Sequence, residues 1–228
     1  MKTLFKVIAF LFCVIPVSNL GQSSLNDKET YLSWSEGKAV GIGKEMRVSG
    51  KVGSRFAFRG LHTERAVNYK LRATWLTPDV IRASARLEQL RNRLTDDQTR
   101  ALVDEAERAG DTVVLIEIDP NEGSGVIPED WRAFLQPKGT KPGTEGAIRG
   151  TKAPHLRTAK ALSGVLRRDY DYDVFWVVFP LVDENKASLF PDAVSDVELL
   201  LGIRDREELV TWRMPKSIRA RIKSLSRK

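Results

Sequence analysis

Glu117 and Asp119 stand two residues apart at the end of an apolar run. Asp169, Asp171 and Asp173 repeat that spacing around Tyr170 and Tyr172. On an extended strand, residues two apart face the same side. General acid–base chemistry, and glycoside hydrolysis in particular, needs two carboxyl groups held across a substrate. If the two strand ends converge, Glu117, Asp119 and Asp171 are the candidate catalytic acids of a hydrolase. The same spacing suits solvated strand ends whose acids pair with Arg167 and Arg168, and spacing alone brings no two strands together.

Asp119 also opens a stretch that can be laid on a calcium loop, which takes oxygen ligands at its odd early positions, glycine at the sixth and a carboxylate at the twelfth. Counted from Asp119, the third residue is Asn121 and the twelfth Asp130, both suitable ligands. The fifth is Gly123, which has no ligand to give, and the sixth is Ser124. A strand also precedes the loop where a helix belongs, and Pro128 stiffens its far half. Asp119, Asn121 and Asp130 are too few to hold the ion. The stretch reads as a tight turn, with Asp119 capping amides and the glycines supplying positive φ.

Nucleophile and cofactor patterns are thinner still. Ser35-Glu36-Gly37-Lys38 matches Ser-x-x-Lys, but no Ser-Asp-Asn or Lys-Thr-Gly partner follows and no Gly-x-Ser-x-Gly occurs. His62 and His155 are the only histidines, both in predicted loops, so a zinc site would need both and a carboxylate. Gly41 and Gly43 begin a dinucleotide fingerprint, but Met46 stands where the third glycine belongs. No cofactor is expected.

Charge needs locating before it is interpreted. The chain carries +7, yet Lys216, Arg219, Arg221, Lys223, Arg227 and Lys228 fall in residues 215–228 without an acid. Without that tail and the two lysines of the leader, the body is close to neutral, at about −1. Ile218, Ile222 and Leu225 share one face of a helix over the tail. The tail is therefore either an amphipathic tether, with Lys216, Arg219, Arg221 and Lys223 meeting an anionic surface, or an end helix docked by its isoleucines.

The elements that must position these groups begin with a leader. Lys2 and Lys6 precede an apolar run from Val7 to Val17, too short for the roughly 20 residues of a membrane span but suited to a secretory signal. Residues 1–21 are expected to be that signal, cut between 19 and 25, and residues 22–30 a flexible arm. Cys13, the only cysteine, lies inside the signal. The mature chain is long enough to bury a core without disulfides.

Val40 to Gly43 reads as a strand end, and Phe56 and Phe58 as a short strand. Val67, Tyr69, Leu71, Ala73 and Trp75 alternate with polar residues, the period of a half-buried strand. Thr77-Pro78 then starts a helix with Val80, Ala83, Leu87, Leu90 and Leu94 on one face. Thr95 to Gln98 forms a capping box, and the helix it opens carries Ala101, Leu102, Ala106 and Ala109 and stops at Gly110. Thr112–Ile118 and Val174–Phe179 are apolar on both faces and read as buried strands.

Pro128–Leu135 reads as a short helix bearing Trp131 and Phe134, and residues 136–154 as a long mobile loop of the functional or disordered kind. Val197–Ile203 and Leu209–Met214 form a hairpin about a turn at Arg204–Glu207.

The expected fold is α+β and rich in strand: one domain over 31–214, a β-sandwich or mixed sheet, with a helical hairpin inserted at about 78–109. A basic tail spans 215–228. The expected function is that of an exported, non-catalytic module that binds or scaffolds a protein or envelope component. A carboxylate hydrolase and a tail-tethered envelope protein are the alternatives. Nucleic acid is not the expected partner in that compartment, and nothing in the mature chain is long and apolar enough to be a transmembrane helix.

Overall fold

The computed structural model describes residues 29–53, 68–120, 126–141, 146–165 and 173–227, and Tyr31–Lys228 forms one compact unit. In chain order the elements are helix α1 (Glu36–Glu45), strands β1 (Arg47–Gly53) and β2 (Asn68–Leu76), and helices α2 (Pro78–Asn92) and α3 (Asp96–Glu107). Strands β3 (Thr112–Pro120), β4 (Arg132–Pro137), β5 (Ile148–Arg149), β6 (Thr151–Lys152) and β7 (Asp173–Phe179) follow. The hairpin β8 (Asp196–Ile203) and β9 (Arg206–Arg213) then leads to helix α4 (Lys216–Leu225).

The strands form two antiparallel sheets, one in the order β1-β2-β3-β7-β6 and one in the order β5-β4-β8-β9. Alternation along β2 drives Tyr69, Leu71, Ala73 and Trp75 into the space between the sheets, where they meet Leu135, Leu199, Leu201, Val210 and Trp212. The outer face of the five-stranded sheet presents Val113, Leu115 and Trp176 to Val80, Ala83, Leu87, Val103 and Ala106 of α2 and α3. β3 is the middle strand of five and is covered on both sides, as its unbroken apolar run requires. Trp176 on β7 is 6% exposed, and its indole N–H donates to the Leu162 carbonyl at 2.9 Å.

The helical hairpin is inserted between β2 and β3, and its caps form where the sequence puts them. Thr77 Oγ1 accepts from the Val80 amide. Thr95 and Gln98 exchange both bonds of the capping box. Along α3 the buried positions are Thr99, Val103 and Ala106, while Ala101 is exposed. Leu90 on α2 is also exposed.

Four local expectations are corrected. Val40 to Gly43 is helical, inside α1, because Ser35 caps the helix and Gly43 faces Val165 where any side chain would collide. A Cβ there would lie 1.7 Å from Val165 Cγ2. Pro128–Leu135 is not a helix, since β4 starts at Arg132 and its alternation sends Ala133 and Leu135 into the inter-sheet core. The supposed loop at 136–154 holds the end of β4 and both β5 and β6, strands too short to show a period. The last hairpin turns on Arg204-Asp205 alone, with Arg204 at φ 54°, so β9 starts earlier than expected. The strand expected around Phe56 and Phe58 lies outside the described residues.

One junction shapes the edge of the sandwich. β5 pairs with β4 and β6 with β7, so the chain crosses from one sheet to the other at Gly150. The Gly150 amide donates to the Ala133 carbonyl at 2.9 Å. A Cβ at Gly150 would fall 2.3 Å from Val177 Cγ1 and 2.7 Å from Phe179 Cε1. Only glycine lets the backbone pass this close to the core.

Candidate functional site

The two acids at the end of β3 do share a face, but each is occupied. β2 runs antiparallel to β3 with Arg72 opposite Glu117 and Lys70 opposite Asp119. Glu117 is buried and accepts from Arg47 Nη2 at 2.9 Å, with side-chain exposures of 5% and 17% for the acid and the base. The space beside this pair, bounded by Thr74, Leu115, Ser163 and Val165, is about 10 Å³. That is room for about one water and for no substrate. Asp119 lies 3.5 Å from Lys70, a partly exposed pair of the kind that contributes little.

Of the second acidic group, only Asp173 lies among the described residues. Asp173 pairs with Ile118, and Val174 with Glu117. Asp173 therefore occupies the face opposite Glu117. Asp171 and Asn121 lie outside the described residues, as does His62. His155 sits exposed on a short 3-10 helix, Pro154–Thr158. Among the described residues no cluster of three or more His, Cys, Asp or Glu is placed to hold a metal. Ser35 of the Ser-x-x-Lys pattern accepts from the Lys38 amide as a helix cap, and Lys38 Nζ sits 4.9 Å from the centre of the Trp34 ring.

The basic tail divides into two sets of side chains. Ile218 and Ile222 of α4 enter the inter-sheet core. Arg219 donates to the carbonyls of Asp192 and Val194. Arg221 donates to the carbonyls of Glu107 at 2.8 Å and Gly110 at 2.9 Å, just past the end of α3, where a cation is favoured by the helix dipole. Lys216 and Lys223 remain exposed.

A cleft of about 520 Å³ opens beside the Gly150 crossing, within the size range of small-ligand sites. Its floor is Trp131, buried at 3% exposure, packed edge-on against Phe175 with ring centres 5.0 Å apart. Lys152 Nζ lies 4.2 Å from the centre of the Trp131 ring and donates to the Glu129 carbonyl. Burial draws the Lys152 ammonium below the ordinary lysine range, while Asp130 and Glu129 pull it the other way.

Arg132 and Arg149 line the same cleft, and neither guanidinium has a hydrogen-bond or ion-pair partner among the described residues. Of these residues, sequence reasoning singled out Asp130 alone, as a calcium ligand. Trp131 and Arg132 were hidden by a helical assignment, and Arg149 and Lys152 by the absence of any period. The one available signal was the length of the apparent loop.

A second, smaller cleft of about 380 Å³ is lined chiefly by apolar groups, among them Trp34, Ile42, Met46, Met214 and Pro215. No protein-family model, no curated protein and no solved structure matches this chain.

Proposed function

We propose that the chain is an exported, non-catalytic binding module and that its partner enters the cleft at the Gly150 crossing. One observation carries this reading. Arg132, Arg149 and Lys152, the last set over Trp131, line a ligand-sized space, and among the described residues neither arginine has a partner, whereas Glu117 and Asp119 are held in ion pairs. A ligand-sized cleft with a few charged groups on its lining suits recognition. A buried acid already bound to arginine is poorly suited to general acid–base work, which needs a proton acceptor within reach of substrate. Export rests on Lys2, Lys6 and the apolar run Val7 to Val17.

Thermal unfolding of the purified chain against a panel of sugars, amino acids, organic acids, phosphates and polyamines tests the reading. A ligand present at about a hundred times its Kd should raise Tm by roughly 5–10 °C, and Trp131→Leu or Lys152→Ala should abolish the rise. Saturable turnover of a generic hydrolase substrate that disappears in Glu117→Gln would overturn it. N-terminal sequencing from the native host should find a start between residues 19 and 25.

A further inference from the structure

We infer that the cleft recognises a small oxyanion, a carboxylate or a phosphate, clamped between the guanidinium groups of Arg132 and Arg149; the inference rests on the cleft being the binding site. Arg149 stands opposite Phe134 in the β4–β5 ladder, and Arg132 is two residues before Phe134 on the same strand. Both arginines therefore leave the same face of the four-stranded sheet, as diagonal neighbours roughly 7–8 Å apart. Two side chains of that length can meet at one point between them. The planar fork of each guanidinium matches two oxygens of a carboxylate or phosphate.

The backbone that carries them is held in place. Gly150 is pinned between the Ala133 carbonyl and the side chains of Val177 and Phe179, so Arg149 starts from a fixed position. Such preorganisation lowers the cost of ordering a bound ligand.

The charges around the clamp also bound the size of the ligand. Glu129 and Asp130 share the cleft and both act on the ammonium of Lys152. These acids balance the lysine. On the arginines' own face Glu207 leans over Gly202, which stands opposite Arg132, leaving Arg149 as the cation without an acid across the ladder. The acids also repel a long polyanion, so a compact anion fits best.

Isothermal titration with inorganic phosphate, pyrophosphate and citrate, beside uncharged glucose and cationic spermidine, tests the inference. At least one anion should bind saturably and more weakly as salt rises. Arg132→Ala with Arg149→Ala should weaken it at least about tenfold. Arg132→Lys with Arg149→Lys, which keeps the charge but loses the fork, should recover part of the loss. Binding by pyrophosphate alone assigns the oxyanion to phosphate, and by citrate alone to carboxylate. Both arginines are exposed, so the variants should melt with the wild type. Anion binding that is absent, or unchanged in the alanine pair, overturns the inference. If glucose binds while the anions do not, and Lys152→Ala abolishes it, or if spermidine binds and Asp130→Ala abolishes it, the cleft remains the site and only its ligand class is wrong. If no probe binds, both readings fall.

Discussion

Removing Glu117 would leave Arg47 half-enclosed with an unbalanced charge, and Arg47 Nε is already buried without a partner. Breaking a buried ion pair from one side usually costs about 3–5 kcal/mol. Glu117→Ala and Arg47→Ala should each lose about 3 kcal/mol in denaturant unfolding, and the double variant less than the sum, because the two share one interaction. A loss below about 1 kcal/mol would free Glu117 for chemistry. Part of this was legible in the sequence. Lys70 and Arg72 alternate on the polar face of one strand, and Glu117 and Asp119 on that of another, so charge matching was available once the strands paired. Arg47 was not legible. It reaches Glu117 across 70 residues, and no local spacing encodes which cation fills a buried place.

Among the elements, α4 gains most from being seen in place. Its isoleucines share one face, and that pattern serves a tether and a docked helix equally well. Ile218 is fully buried and Ile222 nearly so, and Arg221 ties the helix to the carbonyls past α3. Deleting residues 216–228 should cost about 3–6 kcal/mol from the two isoleucines alone. Sedimentation with anionic vesicles, in contrast, should change little, because Arg219 and Arg221 are turned to carbonyls, leaving Lys216, Lys223 and Arg227 outward among the described residues. A truncated chain that melts like the wild type but no longer sediments would favour the tether. The other elements follow the same logic. β2, α2, α3 and β3 were legible because period and caps act within the element. β4 was misread because Trp131 and Phe134 stand three apart, a spacing that suits one helix face, until β8 pairs with the strand. β5 and β6 carry no pattern, since their pairing is made by backbone alone.

For the whole molecule, the inserted helical hairpin covers one sheet only, while α4 sends Ile218 and Ile222 into the core between the two. α2 and α3 cover the outer face of the five-stranded sheet, while among the described residues no helix packs on the outer face of the other, where Leu209 is 47% exposed. Arg132 and Arg149 belong to that uncovered face, at the edge where the chain changes sheets. The α+β class and the inserted hairpin were visible in the sequence. The cleft was not, because it exists only once residues far apart in the chain, Trp131, Lys152 and Phe175, are brought together by the Gly150 crossing.

The proposed binding place is the cleft at the Gly150 crossing. Backbone amide shifts of the isotope-labelled chain, followed through a citrate or pyrophosphate titration, test it most directly. Saturable shifts should concentrate at residues 129–133 and 149–152. Shifts gathered instead around Arg47 and Glu117, or around Trp34 and Met214, would contradict the account.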